Sequence, residues 1–304
     1  MQPEQLPGLT FRPARPEDKP RVVEITARTF GDGVDYVPEV WERWLADPKG
    51  ELTVAELDGV VIACAKTTWR GEGQWWLEGL RVDPDRRLKG IGQAMTTYQL
   101  GLIKRWGGGL IRYTTGIRNE GSHRIAERAG FHVLTRFVDR VAEKLDGPVE
   151  AEVLTRADLD AAWDIARDSD LLCAANGVYA FDWKVHSLTR ERLAEHLDRG
   201  IAMGVRDEAR RVRAWGLVEA DPNWDRLELS SVQGTTEGIT ALASAVRRHA
   251  AALGKVMVEA MTTLYPRALE ALEAAGYHRE VDPEHPDDVR EHGVDVLELR
   301  LDKA

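Results

Sequence analysis

A glycine-containing turn joins a strand-like segment to a helix-like segment in the first half of the chain. The apolar run from Trp75 to Val82 predicts a strand, the run from Gln93 to Trp106 predicts a helix, and residues 87–92, Arg-Leu-Lys-Gly-Ile-Gly, lie between them. The first N–H groups of a helix have no partner within the helix, and its dipole favours negative charge there. The sequence therefore predicts a strand–turn–helix unit whose turn can hold a phosphate group.

The glycine spacing argues against two common phosphate-binding motifs. The turn lacks the Lys-Ser/Thr ending of a P-loop, and its glycines do not follow the Gly-x-Gly-x-x-Gly spacing of dinucleotide sites. Gly90 and Gly92 would let a pyrophosphate approach the main chain closely. The interpretation that remains is a cradle for an acyl-CoA.

Two longer segments resemble the motifs of the GNAT superfamily of N-acetyltransferases. Residues 80–94 resemble its cofactor-binding motif, and residues 119–131 resemble the motif that follows it, with one predicted helix and one predicted strand between them. The resemblance covers roughly the first half of the chain and implies acetyl-CoA as the co-substrate. The residues that it implies for cofactor binding are Leu80, Arg81, Val82, Arg87, Leu88, Lys89, Gly90, Ile91, Gly92, Gln93, Ala94, Asn119 and Ser122.

The second half of the chain repeats features of the first. Residues 227–232 resemble residues 77–82, and Ala275-Gly276-Tyr277 resembles Ala129-Gly130-Phe131, at an offset of about one domain length. Two tandem GNAT-like domains are therefore expected, at residues 1–147 and 148–304. The fold class predicted for each is α/β (α+β), with a mixed, mostly antiparallel central sheet flanked by helices.

Hydrophobic patterning predicts the elements of the first half in more detail. Asp58-Gly59 is typical of a two-residue hairpin turn, and Gly130 is typical of a glycine that ends a helix. The predicted strands are residues 10–13, 52–57, 60–69, 75–82 and 110–115, and the predicted helices are residues 19–30, 38–46, 93–106 and 122–128.

The second copy differs from the first at the predicted cradle. Its turn, residues 235–240, is shorter, has one glycine instead of two, and carries Glu237 where a phosphate would bind. We therefore expect that only the first copy binds the cofactor. The net charge is +1 over residues 1–148 and −11 over residues 149–304, which argues against a nucleic-acid partner. The acidic half favours a cationic substrate or serves solubility.

Glu78 is the candidate general base for removing a proton from an amine. Strand alternation would place it on the same face as Trp76, Leu80 and Val82, where a carboxylate is costly unless it faces a cavity or a partner. GNAT enzymes commonly carry a glutamate on this strand. A salt bridge with Arg81 or Arg112 is the structural alternative, and Glu228 would be the equivalent residue of the second copy.

A general acid is harder to assign. Many GNAT enzymes have a tyrosine four residues before the Gly-Phe of the second motif, but this chain has Ala126 there. Ser122, Tyr98 or a water molecule could protonate the leaving thiolate instead. Tyr98 could equally be a half-buried packing residue, and Asn119 could both contact pantetheine and cap a helix.

Candidate acceptor-binding residues lie in a glycine- and acid-rich segment at 30–38 and in the tryptophan-rich strands. They are Asp32, Asp35, Tyr36 and Trp69, although turn chemistry and core packing would explain the same residues. The resemblance implies an N-acetyltransferase that acts on a primary amine of a small molecule. The alternatives are a protein lysine or N-terminal acetyltransferase, and a non-catalytic acyl-CoA sensor or interaction module.

The remaining expectations concern location and partners. Cys64 and Cys173 lie far apart with no spacing typical of a disulfide framework or a zinc site, so no metal site is predicted. No apolar run has the length of a membrane span, and residues 1–19 lack the apolar core of a signal peptide. A cytoplasmic monomer or homodimer without membrane contact is expected.

Overall fold

The computed structural model describes residues 7–29, 35–86, 90–181, 183–220, 224–280 and 290–302. These residues form two compact units that are discontinuous in sequence. Unit 1 comprises residues 1–113, 119–132 and 297–304, and unit 2 comprises residues 114–118 and 133–296. The boundary predicted between residues 147 and 148 stays a prediction about the sequence repeat.

The strands occur throughout the described part of the chain. They are β1 (Leu9–Pro13), β2 (Gly50–Leu57), β3 (Val60–Gly71), β4 (Gln74–Val82), β5 (Gly109–Gly116), β6 (His132–Glu143), β7 (Glu152–Val153), β8 (Val178–Phe181), β9 (Lys184–Ser187), β10 (Ala202–Arg206), β11 (Val212–Ala220), β12 (Arg226–Gly234), β13 (Met257–Thr263), β14 (His278–Arg279) and β15 (Gly293–Leu301).

The helices alternate with groups of strands. They are α1 (Lys19–Thr26), α2 (Val37–Leu45), α3 (Ile91–Arg105), α4 (Glu120–Ala129), α5 (Leu159–Ala166), α6 (Asp170–Ala174), α7 (Arg190–Asp198), α8 (Thr236–Ala252) and α9 (Pro266–Ala274). Among the described residues, no helix is both long enough and apolar enough to cross a membrane.

Unit 1 is a sheet in the order β1-β2-β3-β4-β5, followed by residues 297–301 of β15. The pairs β1–β2, β2–β3 and β3–β4 are antiparallel, and β4–β5 is parallel. One face packs on α1 and α2 through a cluster that includes Val22, Trp41, Trp44, Val54 and Cys64. The opposite face packs on α3 and α4.

Unit 2 repeats this arrangement. Strands β7, β10, β11 and β12 follow one another as antiparallel neighbours, β12 pairs with β13 in parallel, and β6 lies beyond β13. A separate hairpin, β8–β9, has no counterpart among the described strands of unit 1. The predicted fold class, two copies of a mixed and mostly antiparallel sheet flanked by helices, is confirmed.

Sequence patterning located the elements of unit 1 well. Asp58 and Gly59 have φ angles of 53° and 80° and connect β2 to β3, as the predicted hairpin turn requires. Gly130 has a φ of 86° and ends α4. The main difference is at the first predicted helix, which ends at Thr26 instead of residue 30.

Candidate active site

Strands β4 and β5 pair over only part of their length. Their parallel register runs from Gln74–Leu110 to Trp76–Arg112, although β4 continues to Val82. The main-chain N–H and C=O groups of residues 77–82 on the β5 side therefore lie beyond the last residue pair of this register, Trp76–Arg112. An extended ligand with amide groups can bond to such an edge in the way an added strand does.

A β-bulge interrupts β4 at Gly79. Two consecutive pairs of the β3–β4 register are Lys66–Glu78 and Cys64–Arg81, so β4 has one more residue than β3 across this interval. Gly79 has a φ of 68°, a conformation that favours glycine. A Cβ at this position would lie 2.6 Å from Cζ3 of Trp44 and closer still to Cη2. The bulge therefore requires glycine both for its backbone conformation and for space.

The bulge changes which side chains share a face. Glu78 and Arg81 pair with Lys66 and Cys64 on the α1–α2 side, whereas Leu80 and Val82 pack into the cluster on the α3 side. The prediction that Glu78 shares a face with Leu80 and Val82 is wrong, because simple alternation does not account for the extra residue. Trp76, two positions before Glu78 and before the bulge, shares its face as predicted.

Glu78 is half-buried on the α1–α2 side of the sheet. Thr68 Oγ1 donates a hydrogen bond of 3.2 Å to Glu78 Oε1. The strand partner of Glu78, Lys66, is fully buried, and its ammonium group lies 2.7 Å from Asp47 Oδ2. Burial favours the neutral form of Asp47, but the hydrogen bonds from Lys66 and the Lys49 amide outweigh it and keep the Asp47 pKa below its usual value.

The two arginines named as alternative partners of Glu78 have other carboxylates. Arg81 Nε lies 2.6 Å from Asp35 Oδ2, and Arg112 Nε lies 2.7 Å from Glu298 Oε2. Asp35 is also an acceptor for the Val37 amide at the start of α2, so its oxygens organise this segment. The guanidinium of Arg81 lies 5.4 Å from the ring centre of Tyr36.

The ring of Tyr36 lies on the same side of the sheet as Glu78. It packs edge-on against Trp44, with ring centroids 5.8 Å apart, and it is 43% exposed. Solvent can therefore reach Tyr36, which the sequence predicted as an acceptor-binding residue. Asp32 lies outside the described residues.

Helix α3 begins without a capping side chain. Its N-cap residue, Gly90, has a φ of 76° and provides no side-chain hydrogen bond. The amide of Ala94 donates to Gly90 O at 2.9 Å, which leaves the amides of residues 91–93 ahead of the first intrahelical bond. A Cβ at Gly90 would meet nothing within 4 Å among the described residues.

The other predicted cofactor-binding residues around α3 have different surroundings. Leu80, Val82 and Ile91 pack together in the cluster beneath α3. Gly92 allows close packing of α3 on α4, because a Cβ there would lie 2.9 Å from Ile125 Cδ1. Gln93 Oε1 is buried without a hydrogen-bond partner among the described residues. Arg87, Leu88 and Lys89 lie outside the described residues.

The start of α4 carries a pair of hydroxyl groups. Asn119 caps the helix, because its Oδ1 accepts a hydrogen bond of 3.1 Å from the Ser122 amide. The Ser122 side chain lies close enough to the Tyr113 hydroxyl, at the unit 1 end of β5, to lower the Tyr113 pKa. Burial outweighs this effect and raises the Tyr113 pKa, which keeps its hydroxyl protonated, and the Tyr113 ring packs edge-on against Phe131 at 5.1 Å.

Tyr113 was not singled out from the sequence. The only available signal was an aromatic residue near the end of a predicted strand, six residues before the Asn119 motif. Tyr98 instead stacks on Phe11 at 4.9 Å and donates to Glu51 Oε1 at 3.4 Å, so its hydroxyl interacts with β2. Trp69 pairs with Trp75 and packs on the α3–α4 face, opposite the face of Glu78.

Unit 2 retains the bulge but not the glycine turn. Its register runs from Leu217–Ser230 to Trp215–Gln233, and Ser231 has a φ of 52°. Ser230 therefore occupies the position that Glu78 has in unit 1, and the predicted equivalence of Glu78 with Glu228 is wrong by two residues.

The helix that follows the bulge also differs between the units. The N-cap residue of α3, Gly90, comes eleven residues after Gly79 in the bulge of unit 1. The N-cap residue of α8, Thr235, comes only four residues after Ser231 in the bulge of unit 2. Thr235 Oγ1 accepts a hydrogen bond of 3.1 Å from the Gly238 amide. A protein side chain thus occupies one of the amides that remain uncapped in α3.

The acetyltransferase (GNAT) family model matches residues 20–131. This range contains the parting of β4 from β5, the glycine-led start of α3 and the capped start of α4. This domain belongs to the GNAT family. A histidine N-acetyltransferase of Oreochromis niloticus is 33% identical over 98 residues, and another of Scomber australasicus is 32% identical over 98 residues.

The matched residues cover 32% of this chain and 29% of each of these two relatives. Solved structures match the chain over nearly its whole length. A GCN5-related N-acetyltransferase from Sphaerobacter thermophilus is 15% identical, with 98% of both chains covered and a TM-score of 0.66. A tandem GNAT protein from the clavulanic acid biosynthesis pathway is 13% identical, with 96% and 98% covered and a TM-score of 0.60. At these identities the similarity shows the fold alone.

Proposed function

We propose that this chain transfers the acetyl group of acetyl-CoA to a primary amine of a small molecule. The observation that carries the proposal is in unit 1, where a strand edge beyond Trp76 and an uncapped helix start at Gly90 belong to one β4–α3 unit. The GNAT family domain at residues 20–131 supports the same reaction class.

The described residues fit acetyl-CoA at two points. The β5 side of residues 77–82 suits the amide groups of pantetheine, and the amides of residues 91–93 suit a pyrophosphate. Acetyl-CoA supplies an acetyl thioester, whose carbonyl carbon is the electrophile. Gly90 keeps the approach open because it has no side chain there.

Glu78 is the proposed general base. It lies on the sheet face that carries Tyr36 and Trp44, and Thr68 orients one of its carboxylate oxygens. An ammonium group must lose a proton before its nitrogen can form the new C–N bond. Glu78 accepts that proton directly or through one water molecule.

Ser122 and Tyr113 are the proposed source of the proton that the departing sulfur requires. Breaking the C–S bond leaves a thiolate, and a hydroxyl at the start of α4 can donate to it. Tyr113 lies beside Ser122 and can replace the proton that Ser122 gives to sulfur. The nitrogen loses its second proton as the amide forms, and this proton restores the hydroxyl pair. This pair takes the role that the family's tyrosine would have at position 126, where this chain has a buried alanine.

We assign the reaction to unit 1 alone. Unit 2 has Ser230 in place of Glu78, and Thr235 caps the helix that would face the pyrophosphate. The expected stoichiometry is one acetyl-CoA per chain.

Free L-histidine is the first acceptor to test, because two similar proteins are described as histidine N-acetyltransferases. The assay follows thiol release from acetyl-CoA and detects the acetylated product by mass spectrometry. N-acetyl-histidine, which has no free α-amino group, is the matched negative control. A panel of small amines and a lysine-containing peptide distinguishes a small-molecule acceptor from a protein acceptor.

A pair of glycine variants tests the cofactor site itself. Gly92→Asp places a carboxylate in the first turn of α3, and Gly92→Asn brings the same close contact with Ile125 Cδ1 without the charge. The first change should weaken acetyl-CoA binding roughly tenfold or more beyond the second, because only the carboxylate repels the pyrophosphate. Equal affinities in calorimetric titrations would refute the assignment of the site to α3.

A further inference from the structure

Lys66 places a fully buried ammonium group on the sheet face that carries Glu78. Its side chain is 0% exposed, and the register of β3 with β4 sets it directly opposite Glu78. Directly opposed residues of antiparallel strands have Cβ atoms roughly 5 Å apart, so charges on two such side chains interact. Burying a charge is costly unless the charge is paired, so packing alone does not account for a lysine at this position.

The Lys66 ammonium and the Glu78 carboxylate lie at the same level of the sheet. A Cβ built on Gly50 would lie 3.1 Å from Lys66 Nζ, and Gly50 pairs with Thr68 across β2 and β3. The hydroxyl of Thr68 donates to Glu78 Oε1 at 3.2 Å. Both charged groups therefore lie beside Thr68.

Asp47, in the loop between α2 and β2, holds the Lys66 ammonium in place. Its Oδ2 lies 2.7 Å from Lys66 Nζ, and its Oδ1 accepts a hydrogen bond of 2.9 Å from the Lys49 amide. Burial opposes ionisation of Asp47, but these two hydrogen bonds outweigh it and hold the Asp47 pKa below its usual value. The position of the ammonium is thus fixed by a carboxylate other than Glu78.

The remaining charged and titratable groups near Glu78 or Asp47 come from four neighbouring segments. They are Arg70 of β3, which lies over the Trp76 ring, Arg81 of β4 with its partner Asp35, Tyr36 before α2, and Lys49 after it. Burial raises the pKa of Tyr36 to about 12, with Arg81 opposing the rise and Glu78 adding to it, so Tyr36 is neutral near pH 7. Helix α2 itself packs on this face through the uncharged side chains of Trp41 and Trp44.

We propose that Lys66 is a positioning residue for the candidate base, and that its buried ammonium keeps Glu78 ionised while Asp47 holds that ammonium in place. An ionised carboxylate is the form that can accept a proton from the acceptor amine. A nearby opposite charge favours this form, and water screens a buried charge only weakly. The inference rests on the proposed role of Glu78 in acetyl transfer, but the charge state of Glu78 can be measured without any acceptor.

The experiment follows the titration of Glu78 by ¹³C NMR in the full chain, labelled at the side-chain carboxyl carbon of glutamate. The signal that is absent from Glu78→Gln identifies Glu78. Lys66→Met removes the ammonium charge at similar side-chain length, Lys66→Arg keeps a positive charge, and Asp47→Asn removes the opposing carboxylate. Lys49→Met is the matched control, because it removes an exposed cation two residues from Asp47.

Lys66→Met should raise the Glu78 pKa by about one unit, because the ammonium is lost and the Asp47 charge remains. Asp47→Asn should lower it by about 0.5 unit, since the ammonium is then no longer opposed. Lys66→Arg and Lys49→Met should leave it within about 0.3 unit of the original value. With free L-histidine or another acceptor that the amine panel identifies, the acidic limb of the pH dependence of kcat/KM should move with the NMR value.

An unchanged or lowered Glu78 pKa in folded Lys66→Met would overturn the proposal and leave Lys66 and Asp47 as a structural ion pair. Thermal unfolding and circular dichroism establish which variants are folded. If Lys66→Met is not, Asp47→Asn decides, because a Glu78 pKa that does not fall there overturns the proposal as well. Expected NMR shifts in a chain that acetylates no acceptor would refute the proposed function and leave the effect of Lys66 on Glu78 established.

Discussion

The bulge at Gly79 offers a sharp test of how β4 positions the candidate base. Replacing Gly79 with alanine keeps a small side chain but adds a Cβ in the left-handed backbone region, at a φ of 68°. That conformation costs a residue other than glycine about 1 kcal/mol. The added carbon would also lie 2.6 Å from Cζ3 of buried Trp44, and overpacking of this kind costs about 1–3 kcal/mol more.

Gly59 is a matched control for the backbone contribution. Its φ of 80° is similar, but a Cβ there would have nothing within 4 Å. Gly59→Ala should therefore reduce the free energy of unfolding by about 1 kcal/mol and Gly79→Ala by about 2–4 kcal/mol. For a domain of this size, these values correspond to decreases in Tm of about 3 °C and about 6–12 °C, measurable by scanning calorimetry.

Two further measurements separate crowding from other causes. Trp44→Phe shortens the side chain that the new Cβ would meet, so adding Gly79→Ala to that variant should lower Tm by little more than Gly59→Ala does. Gly79→Ala should also lower kcat more than it weakens acetyl-CoA binding, because it disturbs the orientation of Glu78. Equal Tm losses for the two alanine variants, or an undiminished loss when Gly79→Ala is combined with Trp44→Phe, would refute this account of the bulge.

Three other changes address the chemistry and the pH dependence. Glu78→Gln should lower kcat roughly 100-fold near neutral pH and progressively less at high pH, with unchanged acetyl-CoA affinity, as a pH–rate profile would reveal. Tyr113→Phe keeps the ring contact with Phe131 but should lower kcat roughly tenfold, and single-turnover kinetics would detect a loss confined to the chemical step. Burial is the main reason that the Asp139 pKa rises from 3.8 to about 7; Glu280 and Glu291 raise it further, and Arg226 and Arg140 oppose them. The folded state therefore holds this proton while the unfolded state releases it, so stability falls as pH rises from about 4 to 7, and Asp139→Asn should raise Tm more at pH 8 than at pH 5, with an upper limit of about 4 kcal/mol.

The sequence was sufficient for features that depend on local chemistry. The strand of residues 75–82, the turn at Asp58-Gly59 and the glycine that ends α4 are confirmed because each depends on a few adjacent residues. Asn119 is confirmed as a helix cap for the same reason. The family resemblance added the fold, which no single pattern in the chain would have established.

Features that depend on contacts between distant residues were not predictable in this way. A bulge moves Leu80 and Val82 away from the face of Glu78, and nothing in the alternation of β4 reveals where the extra residue lies. The pairing of Asp35 with Arg81 joins residues 46 positions apart. Pairing of Tyr113 with Ser122 likewise requires that β5 and the start of α4 be placed side by side.

Unit 2 keeps in β12 the bulge that β4 has in unit 1, although Ser231 stands there in place of Gly79. Ser231 adopts a φ of 52°, at a cost of about 1 kcal/mol for a residue other than glycine, so the bulge is held there by its surroundings and not by local preference. Leu229 and Val232 both belong to the cluster that packs on α8, which places Ser230 on the opposite face. In both units the residue before the bulge, Glu78 or Ser230, therefore lies on the sheet face opposite the helix that follows the strand.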